Sequence, residues 1–414
     1  MPRRDVIPPV MSNQDKSMTS HSKIDAALNI DDLRSLARKR LPRAVFDFID
    51  GGAEDEWTLR SNRAQFDNWG LVPRFPVNVG QRDRTVRLFG QTYNAPLVIS
   101  PTGMMGLARA RADLYLARAA HDCGIPFTMS TVATVSIEEV AANTRAHLWF
   151  QLFVLRDRKL TQDLMNRARS AGYRALVLSV DCPVAGKRER DPRNGLTVPL
   201  KLTPRNMLDL LRRVSWLLEL ARHGPPRPEN LVGSMAEHAS PQALTAYMET
   251  QLDPTVTWKD IDWVRSQWSG PLIIKGLTSP KDAVASVEHG ADGIVVSNHG
   301  GRQLDGSVPS LEALRRIVDC VGSRTTVFCD SGFRRGTDIV KALSLGAQAV
   351  FLGRATAYGV AAGGQAGASR ALTILCDEID RTMALMGLRT LTDIDRTVLW
   401  ELRKPSSDSP EFVS

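Results

Sequence analysis

Cysteine, aromatic residues and long apolar runs are scarce in this sequence of 414 residues. Its five cysteines are widely spaced and form no C-x-x-C pair, which excludes a disulfide framework and a zinc site and fits a reducing cytosol. No apolar run reaches the roughly 18 residues that a transmembrane helix needs. We therefore predict a cytoplasmic protein without a metal site, in which any membrane contact is peripheral and at the inner face of the cell membrane.

Long basic tracts are missing as well, although 53 Lys and Arg residues outnumber 45 Asp and Glu residues and give a net charge of +8. The aromatic residues do not interleave with the basic ones as a base-stacking groove requires, so nucleic acid is excluded as a partner. The excess charge instead predicts an acidic small-molecule substrate or an anionic membrane surface.

The two ends of the chain differ from its middle. Residues 1–24 are polar, contain Pro8 and Pro9, and lack the apolar core of a signal peptide, so we predict a disordered leader there. Residues 404–414 form a polar tail. The segment between them, residues 25–403, is predicted to be one domain.

Within this domain, short β-branched runs alternate with longer amphipathic stretches, as in a parallel sheet built from βα units. The eight runs are 97–101, 126–130, 148–153, 175–181, 272–276, 293–298, 325–331 and 349–354. Most are continuously apolar, which is typical of strands covered on both sides. This repetition predicts an α/β fold, a closed (β/α)₈ TIM barrel. A doubly wound sheet is the alternative, but the first βα turn reads PTGMMG, which is not a dinucleotide-binding turn.

Two segments lie outside the βα units. Within residues 30–50, the segment IDDLRSLARKRL predicts a short helix with Asp31 and Asp32 in its first turn, placed as a lid or plug over one barrel mouth. A long insertion at 182–257 follows the fourth strand and is predicted to be mobile or membrane-facing. Within it, residues 201–223 predict a basic amphipathic helix, which would lie in a membrane interface or dock on its own protein or a neighbouring subunit.

Charged residues collect where the predicted strands end, which is where barrel enzymes place their active sites. His299 has the proton affinity of a base near neutral pH, Asp181 would orient its imidazole, and Arg302 would bind a carboxylate. Two Gly/Arg turns, Gly332 with Arg334 and Gly353 with Arg354, follow the last two strands, where barrels commonly bind phosphate. Lys275 and Asp330 end two further runs.

Long motifs spread over residues 28–395 resemble the FMN-dependent α-hydroxy acid oxidase and dehydrogenase family. They are LPRAVFDFIDGGAEDEW, ISPTGMMG, WFQLF, LSVDCPVAGKRERD, IIKG, VVSNHGGRQLDG, DSGFRRGTDIVKALSLGA and LGRA. The resemblance implies a cofactor, FMN, and a reaction in which a 2-hydroxy acid similar to mandelate or lactate becomes the 2-oxo acid. It also implies an electron acceptor, which would be a quinone, another acceptor or oxygen, and a homo-oligomer, a tetramer.

The resemblance further assigns roles to single residues. His299 would be the base, paired with Asp181, and Arg302 and Arg188 would bind the substrate carboxylate. Lys275 would neutralise the reduced flavin, Asp330 would hold the ribityl chain, and Gly332, Arg334, Gly353 and Arg354 would hold the phosphate. The residues expected to line the flavin are Pro101, Thr102, Gly103, Ser130, Gln151, Ser179 and Ser297. Glycine at position 103, where several oxidases of the family have alanine, favours a dehydrogenase.

Two departures from the family pattern concern the substrate pocket. Family members usually have tyrosine at the positions of Phe48 and Phe153, and each lost hydrogen bond to a charged group is worth roughly 1.5–3 kcal/mol. The substrate is therefore either an ordinary 2-hydroxy acid held by the two arginines, or a diverged one such as an amine, a modified peptide or a ring that is dehydrogenated. Two more distant interpretations are a barrel isomerase without net oxidation and a silent flavoprotein used as a scaffold.

Overall fold

The computed structural model describes residues 23–195, 204–234 and 250–402. Its centre is a closed barrel of parallel strands, which confirms the predicted (β/α)₈ architecture. The barrel strands are β4 (Leu97–Ile99), β5 (Pro126–Met129), β6 (His147–Leu152), β7 (Ala175–Ser179), β8 (Leu272–Leu277), β9 (Gly293–Val296), β10 (Thr326–Cys329) and β11 (Ala349–Leu352). Most are shorter than predicted, so Asp181, Asp330 and Gly353 lie in the loops that follow them. The predicted tail and residues 1–22 of the predicted leader lie outside the described residues.

Helices surround the barrel and extend from it. They are α1 (Ile30–Arg40), α2 (Arg43–Asp50), α3 (Trp57–Ala64), α4 (Ala112–Cys123), α5 (Ile137–Ala142), α6 (Arg158–Ser170), α7 (Arg190–Arg193), α8 (Pro204–Leu211), α9 (Val214–His223), α10 (Trp258–Gln267), α11 (Pro280–Glu288), α12 (Ser310–Val321), α13 (Gly336–Ser344) and α14 (Arg354–Met386). The last helix is interrupted by non-helical backbone at Gly363 and Gly364. Outside the barrel, β1 (Trp69–Leu71) pairs antiparallel with β12 (Leu399–Glu401) near the end of the domain.

A β-hairpin closes the end of the barrel that lies away from the strands' carboxyl ends. It consists of β2 (Val86–Leu88) and β3 (Gln91–Tyr93), and the ring of Phe89 in its turn lies 5.9 Å from that of Trp149 and 6.1 Å from that of Phe328. These aromatic side chains pack in the barrel interior and block this end of the barrel, which leaves the opposite mouth for a ligand.

The short helix predicted within residues 30–50 is confirmed as α1, and a second helix, α2, follows it directly. Helix α1 ends before Leu41 and α2 begins after Pro42, whose ring fixes an extended entry into the second helix. Asp50, the last residue of α2, accepts hydrogen bonds from Arg34 at 2.6 and 2.9 Å and from the Tyr358 hydroxyl at 2.6 Å. These bonds hold α2 against the barrel, and its end contributes Phe48 and Ile49 to the mouth.

The predicted helix at 201–223 is also two helices, α8 and α9, separated at Arg212 and Arg213, and residues 201–203 lie outside the described residues. One side of α9 docks on the barrel, where the Trp216 indole donates to Leu107 O at 2.7 Å and Glu219 pairs with Arg40. The other side of the pair exposes apolar side chains that are 51% to 66% accessible. They are Met207, Leu208, Leu211, Val214 and Leu218. Among the described helices, none is long and apolar enough to cross a membrane.

Candidate active site

The loop after β9 brings His299 against Asp181, which follows β7. His299 Nδ1 lies 3.0 Å from Asp181 Oδ2 and 3.1 Å from Oδ1, which leaves Nε2 for a ligand. The backbone of His299 has a positive φ of 56°, and its N–H donates to Ser297 Oγ at 3.0 Å. Burial alone would raise the pKa of Asp181, but the adjacent His299 and the charge of Lys275 lower it to about 2. Asp181 is therefore an anion that can stabilise a protonated imidazole.

Lys275 on β8 is buried between polar groups of the neighbouring strands. Its Nζ lies 3.0 Å from Asp330 Oδ2 and donates to Ser297 Oγ at 3.0 Å. Burial acts to lower the pKa of Lys275, but the carboxylates of Asp330 and Asp181 raise it above its ordinary value. The side chain is thus a fixed positive charge at the base of the mouth.

Two arginines flank the ring of Phe48 in the lid. The guanidinium carbons of Arg302 and Arg188 lie 5.3 and 5.7 Å from the ring centroid. Arg302 donates to Phe48 O at 2.7 Å and to Gly51 O at 3.0 Å, and Arg188 Nε donates to Asp191 at 3.0 Å. Burial, followed by the charges of Arg188 and Arg354, lowers the pKa of Arg302 well below its usual range. The arginine cluster has a surplus of positive charge, which favours an anionic ligand.

The turns after β10 and β11 meet at the other side of the mouth. Gly332 has a φ of +89°, and a Cβ on it would lie 2.4 Å from Asn62 O, so only glycine fits this turn. Arg334 stacks on the Tyr358 ring, with 5.2 Å between its guanidinium carbon and the ring centroid. Arg354 begins α14, and its side chain donates to the carbonyls of Ile49, Gly300 and Gly51. The side chain of Arg354 therefore also ties the lid to the barrel.

One cavity of about 320 Å³ unites nearly all the residues that the sequence singled out. Those lining it are Phe48, Pro101, Thr102, Gly103, Ser130, Gln151, Phe153, Ser179, Arg188, Lys275, His299, Arg302, Asp330, Gly332, Arg334, Gly353 and Arg354. Asp181 and Ser297 are not in its wall, but they contact His299 and Lys275, which are.

Other residues of the site were missed from the sequence. Cys182 Sγ lies 3.5 Å from His299 Nδ1, and Gln303 donates to Asp181 O and Val184 O, which fixes the loop after β7. Both belong to the motifs that carry the family resemblance. Their positions directly after Asp181 and Arg302 in the sequence could have indicated that they belong to the site. Tyr358, which contacts Asp50 and Arg334, lies inside a helical stretch, and nothing in its local sequence indicates the contact.

Three side chains of this region are of metal-ligating types. Asp181, Cys182 and His299 have possible ligand atoms within 4.8 Å of one another. Asp181 and His299 are already paired, and burial followed by the Asp181 charge raises the pKa of the Cys182 thiol well above its ordinary value. These interactions favour a hydrogen-bonded cluster over a thiolate ligand.

Fold and site together define a (β/α)₈-barrel enzyme whose mouth combines a histidine–aspartate pair with surplus cationic charge. The family model described as FMN-dependent dehydrogenase matches residues 37–401, so the chain belongs to this family. It is 43% identical over 366 residues to (S)-mandelate dehydrogenase from Pseudomonas putida, covering 88% of this chain and 92% of that protein. It is 41% identical to an L-lactate dehydrogenase from Pseudomonas syringae pv. syringae, covering 89% of this chain and 97% of that protein.

A solved structure agrees with this assignment. The crystal structure described as monotopic membrane protein (S)-mandelate dehydrogenase matches with a TM-score of 0.88 and 41% identity, covering 91% of this chain and all of that chain. The protein is thus an FMN-dependent dehydrogenase, an oxidoreductase.

The residues of the mouth fit FMN. Gln151 Oε1 accepts from Thr131 N at 3.2 Å, whereas its buried Nε2 has no hydrogen-bond partner, which leaves a donor for a ring carbonyl or nitrogen. At Gly353 a Cβ would meet nothing closer than 3.9 Å, and this residue caps the amino terminus of α14, where a phosphate is favoured. Gln151 would therefore hold the flavin ring, and Gly353 with Arg334 the phosphate.

Proposed function

We propose that the protein oxidises a 2-hydroxy acid similar to mandelate or lactate to the 2-oxo acid. The observation that supports this most directly is that His299, which is paired with Asp181, lines one cavity together with the two arginines stacked on Phe48. The His299–Asp181 pair can remove a proton, and the two arginines can bind a carboxylate. A 2-hydroxy acid carries both groups on adjacent carbons.

In this proposal each residue has one task. Arg302 and Arg188 bind the carboxylate, and their partners Phe48 O and Asp191 fix the guanidinium planes. His299 Nε2 takes the hydroxyl proton, and Asp181 at Nδ1 stabilises the imidazolium that forms. The chemistry that bound FMN would supply is an acceptor for the two electrons and the hydrogen of the substrate carbon. Lys275, whose charge is held by Asp330, stabilises negative charge at the cofactor.

Anaerobic mixing of the holoenzyme with a panel of substrates tests this function. We expect L-mandelate or L-lactate to bleach the flavin absorbance, and the D-enantiomers to leave it unchanged. The panel also contains amines and alcohols without a carboxylate. If these bleach the flavin while every 2-hydroxy acid fails, the proposed substrate class is wrong.

A second candidate is a substrate with a bulkier or different group, and it rests on a second cavity. This cavity of about 430 Å³ shares Phe153, Ser179, Cys182 and Leu252 with the first one and is otherwise lined mostly by apolar residues. A phenylalanine at position 153 gives this boundary an apolar surface without a hydroxyl. The variants Phe48→Tyr and Phe153→Tyr discriminate between the candidates. An ordinary hydroxy acid predicts a lower KM or a faster reduction in them, whereas a diverged substrate predicts a loss.

For the electrons we propose release to a quinone rather than to oxygen. Gly103, where several oxidases of the family have alanine, lines the cavity, and a Cβ there would lie 2.3 Å from Val132 Cγ2. Reoxidation of the reduced holoenzyme by a soluble quinone and by air-saturated buffer measures the preference. Faster reoxidation by oxygen would contradict the proposal.

We further propose a cytoplasmic protein that contacts the inner face of the membrane through α8 and α9. The support is the outward apolar side of this helix pair, whose inner side is held by Trp216 and Glu219. Arg212 and Arg222 are exposed near it and suit anionic lipid. The relative (S)-mandelate dehydrogenase, whose crystal structure was compared above, is described as a monotopic membrane protein, and this supports the proposal.

Sedimentation with vesicles of phosphatidylglycerol and phosphatidylethanolamine tests the membrane contact. The variant Leu211→Ser/Leu218→Ser should lose binding. Leu385 and Leu402 are similarly exposed, at 62% and 59%, so Leu385→Ser/Leu402→Ser is the matched control and should retain it. Equal binding of both variants would exclude α8 and α9 as the contact.

The proposed tetramer is tested by light scattering of the holoenzyme in detergent-free buffer.

A further inference from the structure

Two free thiols meet at the seam between the first and the last βα unit of the barrel. Cys123 is the last residue of α4, which follows the first barrel strand, and Cys376 lies in α14, which follows the last barrel strand. Their sulfur atoms lie 3.7 Å apart although the residues are separated by 253 positions in the sequence. A disulfide bond between them would require these sulfur atoms to approach to roughly 2 Å.

We propose that Cys123 and Cys376 form an oxidisable dithiol, which a low-molecular-weight disulfide such as oxidised glutathione converts into a disulfide across the barrel seam. Cysteine pairs of cytosolic proteins that become oxidised are usually reversible redox sites rather than permanent structural bonds. The scarcity and spacing of cysteine in the sequence gave no indication of this pair, because the contact depends on closure of the barrel.

The surroundings assign the first reaction to Cys123. Its side chain is half-buried and reachable at the end of α4, whereas Cys376 is buried. The Cys376 thiol hydrogen-bonds to the Cys123 sulfur, and together with the positive charge of Arg84 this lowers the pKa of Cys123. Arg84 Nε is itself buried without a hydrogen-bond partner, so a thiolate beside it would meet an unsatisfied cationic group. Thiolates are the attacking species in thiol–disulfide exchange.

The exchange balances in two steps. In the first step the Cys123 thiolate attacks oxidised glutathione, a bond forms between Cys123 Sγ and one glutathione sulfur, and the reagent's S–S bond breaks to release one reduced glutathione. In the second step Cys376 Sγ displaces the second glutathione and forms the bond to Cys123 Sγ. The protein thiols lose two electrons, which reduce the reagent, and their two protons leave with the two glutathione thiols. Capping of Cys123 removes the hydrogen bond and the negative charge through which Cys123, together with burial, raises the pKa of Cys376, and this favours the second step.

This modification acts on stability rather than on the reacting groups. Helix α4 ends just before β5 begins at Pro126, so the thiols lie near the end of the barrel opposite the active-site mouth. A covalent link over 253 positions restricts the unfolded chain strongly. We therefore expect a higher midpoint of urea unfolding in the oxidised protein and an unchanged rate of flavin reduction.

The test treats the holoenzyme with oxidised glutathione and maps its peptides by mass spectrometry. The wild-type protein should yield a peptide that joins Cys123 to Cys376 and is two hydrogens lighter than the two separate peptides together. The variant Cys376→Ser should accumulate one glutathione on Cys123, and Cys123→Ser should yield no joined peptide. Cys320 is exposed on α12, so Cys320→Ser is the matched control and should yield the same joined peptide as the wild type.

Two results would overturn the proposal. One is a wild-type protein that retains both thiols, or keeps glutathione on Cys123 without forming the joined peptide. The other is an oxidised protein whose joined peptide forms only after unfolding in urea, which would show that the folded geometry does not support the bond. The wild-type measurement decides the question even if a serine variant fails to fold.

Discussion

His299 Nδ1 lies 3.0 Å from Asp181 Oδ2 although 118 positions separate the two residues in the sequence. The contact fixes one ring nitrogen on an anion that is charged at all physiological pH values, since the pKa of Asp181 is lowered to about 2. The second ring nitrogen is thereby available to a substrate in the cavity.

Replacement of Asp181 by asparagine removes the charge that stabilises the imidazolium. We expect the rate of anaerobic flavin reduction to fall by roughly 10²–10⁴-fold, with FMN content unchanged. His289 and Asp262 form a second pair, 2.6 Å apart, which is partly exposed and outside the cavity, so Asp262→Asn is the control and should reduce normally. A normal rate in Asp181→Asn would remove this residue from the mechanism.

Replacement of Arg302 by lysine removes the planar fork that can bind a carboxylate while it donates to Phe48 O. The substrate concentration for half-maximal reduction should rise about tenfold or more, because a hydrogen bond to a charged group is worth roughly 1.5–3 kcal/mol. Stopped-flow titration with the best hydroxy acid measures this. Arg316→Lys, on the exposed side of α12, is the control. An unchanged titration would mean that the carboxylate binds elsewhere.

Replacement of Gly332 by alanine would put a side chain on a backbone with a φ of +89°, and its Cβ would lie only 2.4 Å from Asn62 O. We expect weaker FMN retention and a loss of stability of roughly 1–3 kcal/mol. Gly172 has a similar φ of +83° but nothing within 4 Å, so Gly172→Ala isolates the backbone strain from the collision. Equal losses in both variants would show that the contact with Asn62 is unimportant.

Asp113 provides a pH-dependent test of stability. It is buried, and Thr134 donates to its Oδ2 at 2.9 Å through the backbone and at 2.7 Å through the hydroxyl. Burial, opposed by these bonds, raises the pKa of Asp113 from 3.8 to about 6. A raised pKa adds stability below about pH 4 that is lost as the pH rises through about 6. Between pH 4 and pH 7 the free energy of unfolding of Asp113→Asn should therefore rise relative to that of the wild type by about 2–3 kcal/mol, as measured by urea unfolding.

The control for this experiment is Asp282→Asn, since Asp282 is partly exposed on α11. The free energy of unfolding of this variant is measured over the same pH range, and it shows the effect of the same substitution at a site that is not fully buried. If the Asp113→Asn curve runs parallel to that of the wild type, Asp113 is ionised in the folded protein throughout.

Much of the barrel could be predicted because buried parallel strands are apolar on both faces, which is visible in runs such as 175–181 and 349–354. The predicted ends were too long, since Asp181 and Asp330 follow strands that stop before them. The hairpin at Val86–Tyr93 was not predicted, because its short strands have no pattern that reveals Trp149 and Phe328 as their partners. The second helix of the lid, α2, was not predicted, and residues 201–223 were predicted as one helix, because periodicity alone does not reveal the break at Arg213.

By itself the sequence determined the closed α/β barrel, the family resemblance and the chemical types of the residues at the strand ends. Tertiary structure decided how those residues combine. The docking of α2 puts Phe48 between Arg302 and Arg188, the loops after β7 and β9 bring Asp181 to His299, and barrel closure brings Cys123 to Cys376. These contacts join segments far apart in the chain, and their distances depend on packing that no local pattern of residues encodes.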